Sequence, residues 1–206
     1  MTHGAEHQRR RRYLCNVFEG QLLHDPTAVV LDDVRVAWDI PDLGAHGSDI
    51  AVILGVRERK NWGTFDVASE SVRPALLIEI TSPETARIDR SVTLAEYEVA
   101  GVPLYVIVDG VSRRRDTTRR ILASELTPAG YQPVTPNERG WIWLEPVQVW
   151  LSISDDAVVC HNRDGHPFGD YGTLAEALTA ESQARFAAET RLRELEAELR
   201  RLRGEG

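Results

Sequence analysis

The sequence predicts an α/β fold on three observations. Several apolar, β-branched runs are of strand length. One of them is followed by an amphipathic helical segment and then another such run. Gly, Pro and Asn cluster in the segments between.

The elements can be justified in chain order. Residues 6–18 read as a helix, with Tyr13, Leu14, Val17 and Phe18 as a short apolar face behind a run of arginines. Residues 28–38, 49–56 and 74–80 read as strands, separated by the loop-like "PDLGAHGS" and "RKNWGTFDVASES". Ile88, Val92, Ala95 and Val99 then recur at steps of four, three and four, which predicts one apolar helix face, with Gly101 as its stop and Pro103 beyond. "LYVIVD", residues 104–109, returns as a strand. A strand, helix and strand of this length predict a right-handed parallel crossover, which buries the strands on both faces. Residues 120–127, 141–154 and 157–161 read as antiparallel additions to the same sheet, with Trp141, Trp143 and Trp150 as packing rather than a stacking platform for bases.

From Leu174 the composition turns to Ala, Glu, Arg and Leu, with no Gly or Pro until Gly204. Leu192, Leu195, Leu199 and Leu202 alternate three and four apart, an a/d seam about two heptads long. Glu189 with Arg193 and Glu196 with Arg200 form favourable i,i+4 pairs, and in a parallel dimer Arg191 and Glu198 would face Glu196 and Arg203 of the partner. The division expected is a domain over residues 1–170 and a charged, coiled-coil-like helix over 171–206 that pairs two chains as a homodimer.

Composition narrows the functions. With 206 residues the chain is long enough for one well-buried core, and no apolar stretch approaches the length of a membrane span. The N-terminus has basic residues but no signal-peptide core, so a soluble cytoplasmic protein without membrane partners is expected. Cys15 and Cys160 are read as isolated reduced thiols. A net charge of −8, from 24 basic and 32 acidic residues, argues against a general coat for nucleic acid and makes any such contact local. Basic runs at residues 9–12 and 113–120 are the local candidates. Lys60 is the only lysine, so 23 of the 24 basic residues are arginine.

Two carboxylates break the apolar pattern. Asp49 opens "SDIAVIL" and Glu79 interrupts "LLIEITS", and a carboxylate in a buried strand is costly unless it is paired or binds metal. If their strands are neighbours the two acids converge. The Ile80 carbonyl then adds a third hard oxygen, enough with waters for one octahedral Mg2+. The alternative is that Asp49 caps a strand and Glu79 pairs with an arginine.

These stretches, with "RERKNWGTF", "EYEVAGVPLYVIVD" and "WLEPVQVWL", resemble the Uma-type restriction endonucleases of bacteria, members of the PD-(D/E)XK nuclease superfamily. The resemblance covers residues 6–203 and joins Glu79, Thr81, Ser82, Pro83, Asp89, Tyr97, Gly101, Pro103, Tyr105 and Asp109. It implies a restriction-endonuclease-like core of helix, three strands, helix and strand, which matches the elements above. It also implies a Mg2+-dependent (or Mn2+-dependent) endonuclease that uses one or two ions to hydrolyse phosphodiester bonds, with nucleic acid, DNA in particular, as partner.

Carried over by position, Asp49 is the first motif acid, after Ser48 in place of the usual Pro, and Glu79 is the second. Ile80 adds its carbonyl. The motif lysine stands in the superfamily two residues after the second acid, or in this family four after the helix aspartate. Those positions are Thr81 and Thr93. Both lack a charge. Arg90, three residues before Thr93, and Lys60, in the loop between the acid strands, are the candidates to steady phosphate, although a guanidinium cannot serve as a base. Tyr97 and Asp109 read as scaffold, while Asp89 and His7 fall on positions where the resemblance implies a role. The "YELxxGE"-like segment usual before the helix is not recognisable.

Three functions follow: a metal-dependent endonuclease weakened by loss of the lysine, a catalytically degenerate nuclease fold that binds nucleic acid, and a protein-interaction module using the C-terminal helix.

Overall fold

Alternation along the strands decides which side chains meet, because successive residues point to opposite faces of a sheet. The computed structural model describes residues 2–81, 90–113, 116–169 and 171–202. They fall into two units, Met1–Phe168 and Gly169–Gly206. In chain order the first unit begins with α1 (Thr2–Gln21), β1 (Val29–Ala37), β2 (His46–Ile53), β3 (Thr64–Asp66) and α2 (Val67–Glu70). It continues with β4 (Pro74–Thr81), α3 (Arg90–Val99), β5 (Leu104–Arg113), β6 (Asp116–Thr127) and β7 (Gly130–Pro133).

One sheet of seven strands, ordered β3-β1-β2-β4-β5-β6-β7, carries this unit. β2 is antiparallel to β1 and β4, whereas β4 and β5 are parallel from Leu76↔Leu104 to Thr81↔Asp109. The order helix, three strands, helix, strand is met by α1, β1, β2, β4, α3 and β5. Short β3 and α2 form within the segment that reads as a loop. Asp66 is the reason α2 starts where it does: its carboxylate accepts from the Ala68 and Ser69 amides, an N-cap.

On one face of the sheet Ile50, Val52, Leu76, Ile78, Ile80, Val106 and Val108 pack with Leu14 and Phe18 of α1. On the other, Ala51, Ile53, Leu77, Tyr105 and Ile107 pack with Tyr97 and Ala100 of the α3 segment. Truncating a buried Leu or Phe in such a core costs about 2–5 kcal/mol.

Two expectations are corrected. The first concerns the downstream strands. Only β6 and β7 extend the large sheet; β8 (Ile142–Leu144), β9 (Val149–Ser154) and β10 (Ala157–His161) form a separate antiparallel sheet ordered β10-β9-β8. Its inner residues Ile142, Leu144, Val149, Leu151, Val158 and Cys160 share the core of the α1 face. A single helix cannot cover that face of a wide sheet, and the second sheet covers the remainder.

The second concerns α3. Its predicted apolar face ends at Val99, which is 62% exposed, while Tyr97 and Ala100 are buried at 1% and 0%. The ring of Tyr97 packs edge-on to Tyr105, with centroids 4.9 Å apart, and also meets Trp38 and His46. A large aromatic with a hydroxyl suits this partly polar face better than small aliphatics do.

The second unit contains α4 (Tyr171–Leu202). Phe186, Leu192, Leu195 and Leu199 are exposed on it, at 42–70%. Among the described residues no helix is long and apolar enough to cross a membrane. Cys15 and Cys160 are free and buried.

Candidate functional site

The β2–β4 register pairs Ala51 with Leu77 and Ile50 with Ile78. Ile50↔Ile78 is the last pair on that side, and beyond it the Ile80 N–H donates to the Asp49 carboxylate, which brings Asp49 and Glu79 to the end of the ladder. Glu79 is mostly buried, and its carboxyl is pushed up to about 8, chiefly by burial and then by the negative charge of Asp49. Hydrogen bonds from Tyr97, the Asp49 backbone amide and Ser48 oppose that rise. The Tyr97 hydroxyl donates to Glu79 Oε1 at 3.3 Å.

Asp49 turns toward its neighbours in α1 and β4. Its Oδ2 accepts the Ile80 N–H at 2.8 Å and lies 3.1 Å from His7 Nε2. Oδ1 lies 3.7 Å from Arg11 Nη1. The two carboxylates thus lie where the β2–β4 ladder ends and take partners from helices on opposite faces of the sheet, Asp49 from α1 and Glu79 from α3. In an extended strand the N–H and C=O of one residue point toward the same neighbouring strand, so the Ile80 carbonyl faces the Asp49 side as its amide does.

The donor set suits a small hard cation. Among the described residues no group of three or more His, Cys, Asp or Glu side chains is arranged to hold a metal. Two carboxylates and a backbone carbonyl remain. Mg2+ characteristically binds through one or two carboxylates and keeps several waters. The mutual repulsion that raises the Glu79 carboxyl would be relieved by such a charge.

The predicted cations lie apart from this arrangement or outside the described residues. Lys60 Nζ meets Glu70 Oε1 at 2.5 Å and lies 5.8 Å from the Trp62 ring centroid, in contacts with α2 and the segment before β3. Arg90 opens α3, but its side chain lies outside the described residues, as do Ser82, Pro83 and Asp89. Thr81 Oγ1 donates to Asp109 at 2.9 Å, and Arg120 Nε donates to the other oxygen of Asp109 at 2.9 Å. Asp109 is fully buried. One position expected for lysine therefore holds a neutral donor in an acid–arginine network. Thr93 is half-buried and one helical turn before Tyr97.

His46 pins α3 over β2. Trp38 Nε1 donates to His46 Nδ1 at 2.7 Å, which leaves Nε2 to donate to Glu96 at 2.8 Å. This fixes the helix turn that brings Tyr97 to Glu79.

Sequence reasoning missed Arg11 as a neighbour of the acids, and it took Tyr97 for scaffold alone. A signal for Arg11 was present: His7, Arg11, Leu14 and Phe18 are spaced four, three and four apart, so the stripe that buries Leu14 and Phe18 extends through His7 and Arg11.

The profile of the Uma2 family, described as "Putative restriction endonuclease", matches residues 1–154. Among solved structures, the chain is similar to "a putative nuclease belonging to DUF820" from Anabaena variabilis, with a TM-score of 0.41 and 16% sequence identity. That match covers 56% of this chain and 66% of the other, slightly under two thirds of its length. No curated protein matches.

Proposed function

The chain belongs to the Uma2 family, and from its acidic strand end we propose that it is a divalent-cation-dependent endonuclease hydrolysing phosphodiester bonds in DNA. The observation that carries this reading is the pairing of Glu79, held up to about 8 by burial and by Asp49, with that second carboxylate where the β2–β4 ladder ends. Asp49, Glu79 and the Ile80 carbonyl are the residues that would hold Mg2+ or Mn2+. Such an ion supplies charge stabilisation at the phosphate and activation of water. The chain's own contribution is orientation: Ile80 N–H and His7 fix Asp49, while Tyr97 and the Asp49 amide fix Glu79.

Calorimetric titration with Mn2+ and Mg2+, followed by plasmid nicking, tests the reading. The wild type should bind Mn2+ and nick DNA only with metal present, and Asp49→Asn should lose both. A wild type that binds neither ion overturns it.

A second reading, a nuclease fold that binds nucleic acid without cutting, is favoured by Thr81, whose hydroxyl is committed to Asp109 where a lysine was expected. It predicts metal and DNA binding with no nicking.

We also propose that α4 pairs two chains through Leu192, Leu195 and Leu199, since an exposed leucine stripe on a helix is costly to leave in water. Light scattering should give a dimer for the full chain and a monomer after truncation at Phe168. A monomer in both rejects the pairing.

A further inference from the structure

On the reading of this site as a nuclease centre, we infer that Arg11 is the cation that contacts the scissile phosphate, doing the work for which Thr81 and Thr93 leave no lysine. The placement is set by the helix. Leu14 and Phe18 are fully buried and fix the rotation of α1, so Arg11, one turn before Leu14, is carried to the edge of β2 beside Asp49. Its side chain is only 15% exposed. The guanidinium is therefore held at the site rather than waving in solvent.

How it is held matters as much as where. Arg11 lies 3.4 Å from Asp33, 3.7 Å from Asp49 and 3.9 Å from Asp32. All three separations exceed the usual N–H···O range of about 2.7–3.2 Å. Three carboxylates thus locate the charge without taking up the planar fork of five donors, which matches two phosphate oxygens at once. Asp33 contributes through an unusual backbone: its φ of 51° lies in the left-handed region, at the point of β1 that falls opposite Asp49 between the Asp32↔Ile50 and Val34↔Ser48 pairs. A cation held by Asp49 would weaken that carboxylate's pull on Arg11 and so leave the guanidinium fork available to a phosphate.

Several other cations of this unit have partners of their own. Arg119 donates to Asp156 at 2.7 Å and to Glu6 at 3.3 Å, Arg10 pairs with Glu6, and Arg120 pairs with the buried Asp109. Lys60 faces Glu70. Among the described residues, Arg11 is the arginine that reaches Asp49.

The test uses the full chain as wild type, Arg11→Ala, Arg11→Lys and the double variant Arg11→Ala/Thr93→Lys. Binding of a short DNA duplex is measured with Ca2+ as a non-cleaving ion across a salt series, Mn2+ affinity by titration, and cleavage with Mg2+ or Mn2+. Arg11→Ala should lower the slope of log K against log salt by about 0.9, the signature of one lost phosphate contact. It should lower kcat by about 100-fold, the scale of one lost charge-stabilising donor, with Mn2+ affinity within about threefold of wild type. Arg11→Lys should keep the wild-type slope, and Thr93→Lys should restore cleavage to Arg11→Ala. A helix-packing role would move none of these slopes. An unchanged salt slope in Arg11→Ala overturns the inference even if the wild type cleaves. A wild type that binds DNA but cleaves nothing defeats the endonuclease reading, while the slope still decides whether Arg11 touches phosphate. A wild type that does not bind DNA overturns both.

Discussion

Replacing Glu79 with glutamine is expected to abolish the proposed divalent-cation binding and cleavage, yet to make the apoprotein more stable at alkaline pH. The two effects have opposite signs because the carboxylate that a metal needs is the one the fold resists ionising. The Glu79 carboxyl is raised from 4.5 to about 8, first by burial and second by the charge of Asp49. In the unfolded chain it ionises near 4.5. Between about pH 4.5 and pH 8 the unfolded state therefore releases a proton that the folded state keeps, so the folded state loses stability as pH rises and the loss levels off above about 8. A shift of this size corresponds to a few kcal/mol, on the order of 1.4 kcal/mol for each pH unit. Glutamine has no proton to lose, but keeps an oxygen for the Tyr97 hydroxyl and the Asp49 amide. Urea unfolding of both proteins at pH 5, 7 and 9, with chelator and with Mn2+, checks this. The difference between variant and wild type should grow toward pH 9 with chelator, and should shrink or reverse with Mn2+ if, as proposed, the ion binds the ionised wild type. Equal stabilities at pH 5 and pH 9 would remove the buried, charge-coupled glutamate from the account.

The core order was legible because it rests largely on the apolar runs of β2, β4 and β5, where both faces of the strand are buried and no periodicity has to be interpreted, whereas β1 buries Val34 and Val36 and exposes Arg35. Where a choice of face mattered, the sequence misled. On α3 the aliphatic spacing chose a face of which Ala95 and Val99 are exposed, with Ile88 and Val92 outside the described side chains, while Tyr97, read as scaffold, is in the core. What decided the rotation lies outside the helix: Glu79 needs a donor, Tyr105 offers an aromatic partner, and His46 holds Glu96. The second sheet was missed for a similar reason. Alternating β8, β9 and β10 say that one face is buried but not against what, and they lie against the α1 face of the large sheet. The acids were visible as charges in apolar strands. Arg11 was hidden among four consecutive arginines, Arg9 to Arg12, and only the rotation of α1 separates it from Arg10, which pairs with Glu6.

Restoring a lysine should therefore depend on which of the two vacant positions receives it. Thr93→Lys is expected to raise nicking activity, by about 10-fold or more, while Thr81→Lys should lower stability and leave activity unimproved. Thr93 precedes Tyr97 by four residues, one helical turn, and Tyr97 already reaches Glu79. An ammonium on that stripe extends over the same strand end without displacing any bond described for the site. Thr81 differs because its hydroxyl donates to Asp109 at 2.9 Å, and Asp109 is fully buried with Arg120 on its other oxygen. A lysine there is longer than the threonine, is drawn to Asp109 rather than to phosphate, and must compete with Arg120 for one carboxylate. The ammonium must be desolvated beside a fully buried carboxylate that already has Arg120, and the second cation adds repulsion of its own. Single-turnover nicking with Mn2+, alongside thermal melts of both variants, separates the two positions. Equal gains from the two lysines, with unchanged melting temperatures, would show that Asp109 and Arg120 do not hold position 81 as the geometry requires.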